Sequence, residues 1–252
     1  MKQKISQYWL LFLISVVMSV LVMTERTHAQ DNSPIPIIAA LQTQLESLTA
    51  RVDTLEAENQ ALKTQLACVS NTSDSNNLYF DGCDVHVRNG AGQTDSNNGK
   101  GNLIVGYNKV RLPESISDKT GSHNLVIGDM HNYTSFGGVV AGLRNTINGQ
   151  WASVIGGTSN IAEGNVSSVT GGQYNSAPGG AATVGGGFIN IASGGFSSVI
   201  GGFQNTASEF FSNVSGGSYN TASGAASTVS GGQLRSASGE YNWAAGSLLE
   251  PN

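Results

Sequence analysis

Charge is scarce in this chain. Only 12% of its 252 residues are Asp, Glu, Lys or Arg, and aromatics make up 7%. From Trp151 to Asn252 there is no Asp, His, Lys or Cys, and the charged residues are Glu163, Glu209, Arg235, Glu240 and Glu250. General acid/base catalysis needs titratable groups within mutual reach, and a Ser or Thr nucleophile needs a base beside it. That stretch offers neither, so no catalytic residue and no cofactor is expected there. Its glycines are followed by no Lys in a strand-Gly-helix context, which excludes a phosphate loop. They also lack the Asp of the calcium-binding nonapeptide rolls, and no metal site is expected. "TDSNNGKGN" at 94 to 102 has calcium-loop residues but no closing carboxylate. Prolines number five and no Gly-X-Y period accompanies the 33 glycines, so neither a collagen nor a disordered chain fits.

Long apolar runs are also scarce. One runs uncharged from Tyr8 to Met23 behind Lys2 and Lys4, and "THA" at 27 to 29 places small residues before Gln30. It is shorter than the roughly 20 residues that span a bilayer, so it reads as a signal peptide, residues 1–29, cleaved after Ala29 in preference to being retained as an anchor. No cysteine near the site suggests lipid attachment. The expected location is extracellular or at the cell surface, with no integral membrane segment after cleavage. The net charge of −5 makes nucleic acid an unsuitable partner.

With a linker at 30–37, residues 38–69 carry a heptad pattern. Ile38, Leu45, Val52, Asn59 and Leu66 fall at a, and Leu41, Leu48, Leu55, Leu62 and Val69 at d. Arg51 and Glu58 at g meet Glu56 and Lys63 at e across neighbouring helices when the chains are parallel and in register. The alternative is a helix packed on its own globular domain, which needs no strict a/d seam. Val at a, Leu at d and a buried Asn59 favour a dimer, whereas "RVDTLE" carries the Arg51 and Glu56 signature associated with short trimeric coiled coils. The trimer is the reading chosen.

Cys68 and Cys83, fifteen positions apart, suit a disulfide in an oxidising compartment, with free thiols the alternative. His86 nearby stands alone and reads as a strand residue in "DVHVRNG".

The dominant signal is a period of fifteen. Val139, Val154, Val169, Val184, Val199, Val214 and Val229 stand at one phase. Gly142 to Gly232 recur three residues later, Asn145 to Asn220 three later again, and Ala162 to Ala237 two after the Asn column. Seven units run from Gly137 to Tyr241. Each is too short for a helix pair or a propeller blade and suits one turn of a β-solenoid. The Val supplies an inward strand residue, the Gly pair a bend, and the Asn a turn that stacks into a ladder of side chains bonding one another. Val154, Val169, Val184, Val199, Val214 and Val229 are thus the expected core. A second column, Trp151, Val166, Ala181, Phe196, Phe211, Ala226 and Tyr241, precedes each strand. Alternation puts it on the opposite face from the valines, and Trp151, Phe196 and Phe211 are assigned with Val52, Leu55, Asn59 and Leu62 to a trimer interface.

The pattern "SSVIGGFQNTASEF" resembles the head repeats of the trimeric autotransporter adhesins (YadA-like). The resemblance covers residues 137–246, and "GNLIVGYN" and "HNLVIGDMHN" are similar to degenerate rungs around the loop "RLPESISDKT" within a transition region, residues 70–136. It implies an all-β fold, a left-handed parallel β-roll, here preceded by a parallel coiled-coil helix. The repeat departs from the family's fourteen residues by one extra between the Gly and the Asn. The chain closes at "LLEPN", tail residues 247–252, with no amphipathic strands, so the likeness is to a head without the C-terminal membrane anchor. The resemblance implies an adhesin-like, non-enzymatic protein, a homotrimer presenting its surface to a glycan or protein ligand. A ligand-free fibre or spacer is the alternative. A carbohydrate-cleaving solenoid would have to draw its acids from Asp81, Asp84, Asp95, Glu114, Asp118 and Asp129, with His123 and His131.

Overall fold

A computed structural model of the chain describes residues 15–19, 36–70 and 77–246. The cleavage site at Ala29 and the tail 247–252 lie outside these, and no described helix is long and apolar enough to cross a membrane. The chain forms two compact units, dividing after Val85.

In the first unit, Pro36–Gln65 is a single 30-residue helix. Pro36 suits a first helical position, where the missing N–H would have no partner. None of the helix's residues is buried, and the d-position Leu41, Leu48, Leu55 and Leu62 are each more than half exposed. The helix stops short of the expected 69. Val69 belongs instead to an antiparallel pair, Val69–Ser70 with Tyr79–Phe80, and aligns with Phe80. A disulfide joins Cys68 and Cys83 across this pair, with Cα atoms 6.0 Å apart, inside the span a bridge allows. Strand pairing beside the bridge competes with the last heptad and wins.

The second unit is a parallel β-solenoid of about eight turns. One sheet of ten strands stacks Leu103–Val105, Leu125–Asp129 and Val139–Leu143, then the two-residue strands from Ser153–Val154 to Trp243–Ala244. A second sheet of eight stacks Asn132–Tyr133, Thr146–Ile147 and then Ile161–Ala162 to Ser236–Ala237. Parallel partners from Val154 onward are fifteen apart, such as Val184 with Val199. The solenoid therefore starts well before residue 137, and its early coils step differently: Leu103 aligns with Leu125 across the intervening loop, and the next two steps are shorter than fifteen. Leu125 aligns with Val139 and Val126 with Val140, and Val140 then aligns with Val154. Val140, not Val139, is the inward residue of that coil. The extra residue of the later coils lies between the inward Val and the second Gly, since Gly142 and Gly157 precede Asn145 and Asn160 by the same interval.

The core is narrow. Val126, Val140, Val154, Val169, Val184, Val199, Val214 and Val229 are fully buried, facing Tyr133, Ile147 and the Ala column. Each Val contributes on the order of 1.5 kcal/mol by leaving water. Large residues fill the lumen in the first coils and alanine suffices afterwards. Glycine is obligatory at one bend. At Gly172 φ is 79°, and a Cβ would lie 2.2 Å from the Gly187 carbonyl oxygen of the next coil.

That oxygen explains the asparagines. The Asn175 amide nitrogen donates to the Gly187 oxygen and to the Gly171 oxygen, both at 2.9 Å, while its own oxygen accepts the Asn190 backbone N–H at 2.9 Å. The same pattern recurs from Asn145 to Asn220 with N–H to oxygen distances of 2.8–3.0 Å. The ladder is real, but its rungs join side chain to backbone rather than amide to amide. All its asparagines are buried, so each amide must be fully used.

Candidate functional site

The column of Trp151, Val166, Ala181, Phe196, Phe211, Ala226 and Tyr241 sits on neither sheet. These residues form a corner and have φ between 52° and 62°. Left-handed backbone is unfavourable for side chains with a Cβ and most so for a β-branched residue such as Val166. A hydrogen bond offsets the cost. Strand N–H groups donate forward to the following coil, as Ser168 does to Ala182 at 2.9 Å, but the corner N–H groups donate backward. Phe196 donates to Gly180 at 2.8 Å and Phe211 to Gly195 at 3.0 Å. The side chains therefore point outward at the corner, not onto the face opposite the valines. Trp151, Phe196 and Phe211 are 53%, 56% and 56% exposed.

They are not scattered. Phe196 packs against Phe210 and Phe211 with ring centroids 5.5 and 5.3 Å away, and Trp151 meets Phe136 edge-on at 5.3 Å. The other corner repeats the device in Ser159, Tyr174, Ile189, Gln204, Tyr219 and Leu234, with φ between 50° and 57°. There Tyr174, Phe188, Phe203 and Tyr219 form a continuous aromatic row over four coils, with neighbouring centroids 5.1 to 5.8 Å apart. Sequence reading missed this second row. Its signal was present, since Phe188 and Phe203 are fifteen apart and Tyr174 and Tyr219 share the next phase.

In the helix, Arg51, Leu55, Glu56, Asn59 and Leu62 are exposed and Val52 is half-buried. Asn59 is therefore not buried within its own chain.

Two of the carboxylates named above, those of Asp118 and Asp129, hold backbone of the early coils. The Asp118 carboxylate accepts the Thr120 N–H and hydroxyl at 3.1 and 2.8 Å, and Asp129 accepts the N–H groups of Lys109 and Met130. Residues 107–121 strap the first coils. Arg111 donates to the carbonyls of Met130, Arg144 and Asn145 at 2.6–2.7 Å and to the Thr146 hydroxyl at 2.9 Å. Lys119 donates to the carbonyls of Asn108 and Lys109. Burial lowers the pKa of both cations, Arg144 adding to the effect on Arg111, while Asp129 partly offsets it on Lys119. The Asp118 carbonyl receives the Tyr133 N–H and so covers the free edge of the second sheet.

His131 is a ladder residue, fully buried at the asparagine phase. Its N–H donates to the Asn108 amide oxygen, its Nδ1 accepts the Asn145 N–H at 3.2 Å, and its Nε2 donates to Ile127 at 3.1 Å. Burial lowers its pKa. Among the described residues no cluster of three or more His, Cys, Asp or Glu could hold a metal ion. Comparison of the chain with protein-family models, with curated proteins and with solved structures gives no match.

Proposed function

We propose that this chain is an exported, self-associating binding protein, an adhesin-like head whose left-handed β-roll presents a repetitive surface to a glycan or protein ligand. One observation carries the reading: the bulky apolar side chains of Trp151, Val166, Phe196, Phe211 and Tyr241 are held outward at unfavourable backbone angles and stay more than half exposed among the described residues. Backbone strain maintained coil after coil without internal burial points to contacts with another molecule. The exposed leucine seam of the helix has the same character, and a parallel trimeric coiled coil through Val52, Leu55, Asn59 and Leu62, with Arg51 and Glu56 pairing across chains, would bury it. Corner residues Trp151, Phe196 and Phe211 then lie at the interface between protomers. A binding role suits the repeats better than a catalytic one, because their surface is hydroxyl, amide and aromatic.

Sedimentation of the mature protein at micromolar concentration tests the assembly. A trimer is expected, and Leu55→Asp with Leu62→Asp should release monomers. A monomeric wild type would overturn the interface, and a dimer would replace the Arg51 and Glu56 rule by that of Asn59. A glycan and protein array probed with the same material tests the attachment role. Silence across the array would leave a spacer.

A further inference from the structure

The second unit has a cavity at its beginning, ahead of the regular fifteen-residue repeats. Its volume is about 510 Å³, and His86, Arg88, Gly90, Gly92, Gln93 and His123 are among its walls. It is a built feature. The His123 ring accepts the Asn89 N–H at Nε2, at 3.2 Å, and donates from Nδ1 to the Thr94 carbonyl at 3.1 Å, so both ends of the loop between them are pinned. Asn89 is buried, its amide nitrogen donating to the Ser96 carbonyl and hydroxyl at 2.9 and 2.7 Å and its oxygen accepting the Ala91 N–H at 2.9 Å. Gly101 presses on the same loop, since a Cβ there would lie 2.5 Å from the Asn89 nitrogen.

Against this fixed frame, Arg88 stands out. Arg111 spends its guanidinium on carbonyl groups, whereas among the described residues Arg88 makes no hydrogen bond or ion pair, and neither does His86. No carboxylate lines the cavity, and Val87 is its only large apolar residue. Gly90 and Gly92 turn the loop with φ of 82° and 80°, and Gln93 and Thr94 supply amide and hydroxyl groups.

We propose that this cavity binds a carboxylated sugar, with the guanidinium of Arg88 pairing with the carboxylate and Gln93, Thr94 and the glycine backbone meeting the ring hydroxyls. One planar fork matches one carboxylate in two parallel hydrogen bonds. A phosphate dianion would call for a second permanent cation. The volume lies in the range of small-ligand sites and accommodates one or two pyranose rings. The wall has no Phe, Tyr or Trp, and its aromatic rings are the imidazoles of His86 and His123.

The site lies within one chain and its probes are soluble, so the proposal stands apart from self-association and surface attachment. Calorimetric titration of the mature protein with galacturonate is expected to show binding, with galactose, the galacturonate methyl ester and inorganic phosphate each at least about tenfold weaker. Arg88→Gln should weaken galacturonate binding by about tenfold or more at an unchanged thermal midpoint, and Arg88→Lys should fall between the two. Arg144→Gln should bind as the wild type does. Absence of binding at about 10 mM galacturonate, retention of affinity in Arg88→Gln, or phosphate binding as tightly as the uronate would each overturn the proposal.

Discussion

The early coils and the regular repeats share one architecture and solve the same problem differently. From residue 152 to Asn220, each coil is closed by the same three devices: an inward Val, a crowded Gly and a buried Asn, before Arg235 takes the Asn position. Ahead of residue 152, coil spacing varies, a His replaces an Asn in the ladder, and Arg111, Lys119 and Asp118 supply by side chain or strap what repetition supplies elsewhere. A coil with identical neighbours has its polar groups met automatically. The first coil has a neighbour on one side only, and most of the charged residues of the second unit lie in these early coils, where Arg111, Lys119 and Asp118 help to complete them. The difference separates stability, which lives in repetition, from chemical variety, which lives where repetition fails.

The repeat side of this comparison breaks most sharply at glycine. Gly172→Ala should destabilise by several kcal/mol, because its Cβ has backbone of the next coil 2.2 Å away and φ is positive. Gly171→Ala, one residue earlier, meets nothing within 4 Å and should change stability by less than about 1 kcal/mol. Equal thermal midpoints for the two variants would show that the bend tolerates side chains at either position. Asn190→Ala comes next. It removes an amide that donates to Gly186 at 2.8 Å and Gly202 at 2.9 Å and accepts the Asn205 N–H, leaving a buried N–H without its partner. A loss of about 3 kcal/mol in chemical denaturation is expected. A loss below about 0.5 kcal/mol would mean that the ladder is decorative.

The smallest effect sharpens the early side. Because burial lowers the His131 pKa, the unfolded chain binds this proton more readily than the folded one does. Its neutral form is fully compatible with folding above about pH 6.5, and stability falls as the pH drops below that value, with a slope of at most about 1.4 kcal/mol per pH unit for one proton. His131→Asn restores the repeat's own residue and should remove that share of the acid sensitivity while keeping the bond to Asn145. Identical stability-against-pH curves for wild type and variant between pH 7 and about pH 5 would refute the role.

Much of this was legible from periodicity. Fifteen-residue spacing identified the solenoid, because parallel stacking places residues one circumference apart directly above one another. Val154 through Val229 are fully buried. Legibility failed where spacing changes or where a residue of another type takes a shared position. The Gly142 phase points to Val139 as the inward residue, yet a fourteen-residue step brings Val140 into line with Val154. His131 has the chemistry of a catalytic group, and no pattern in one sequence equates His with Asn. The apolar column was placed by strand alternation, which holds for extended backbone and not for a left-handed corner. The cavity at Arg88 was invisible, because it depends on Asn89, Ser96 and His123 meeting across loops with no periodicity.

The opposed directions of the hydrogen bonds have a kinetic consequence. Strand amides reach toward the following coil and corner amides toward the preceding one, so every interior coil is latched on both sides and has few bonds of its own. Peeling must then start from an end, and a break in the middle has to open two sets of latches at once. Whole coils become the natural unit of length change: a gene that duplicates or loses fifteen codons lengthens or shortens the rod by one latch pair and leaves every remaining joint as it was.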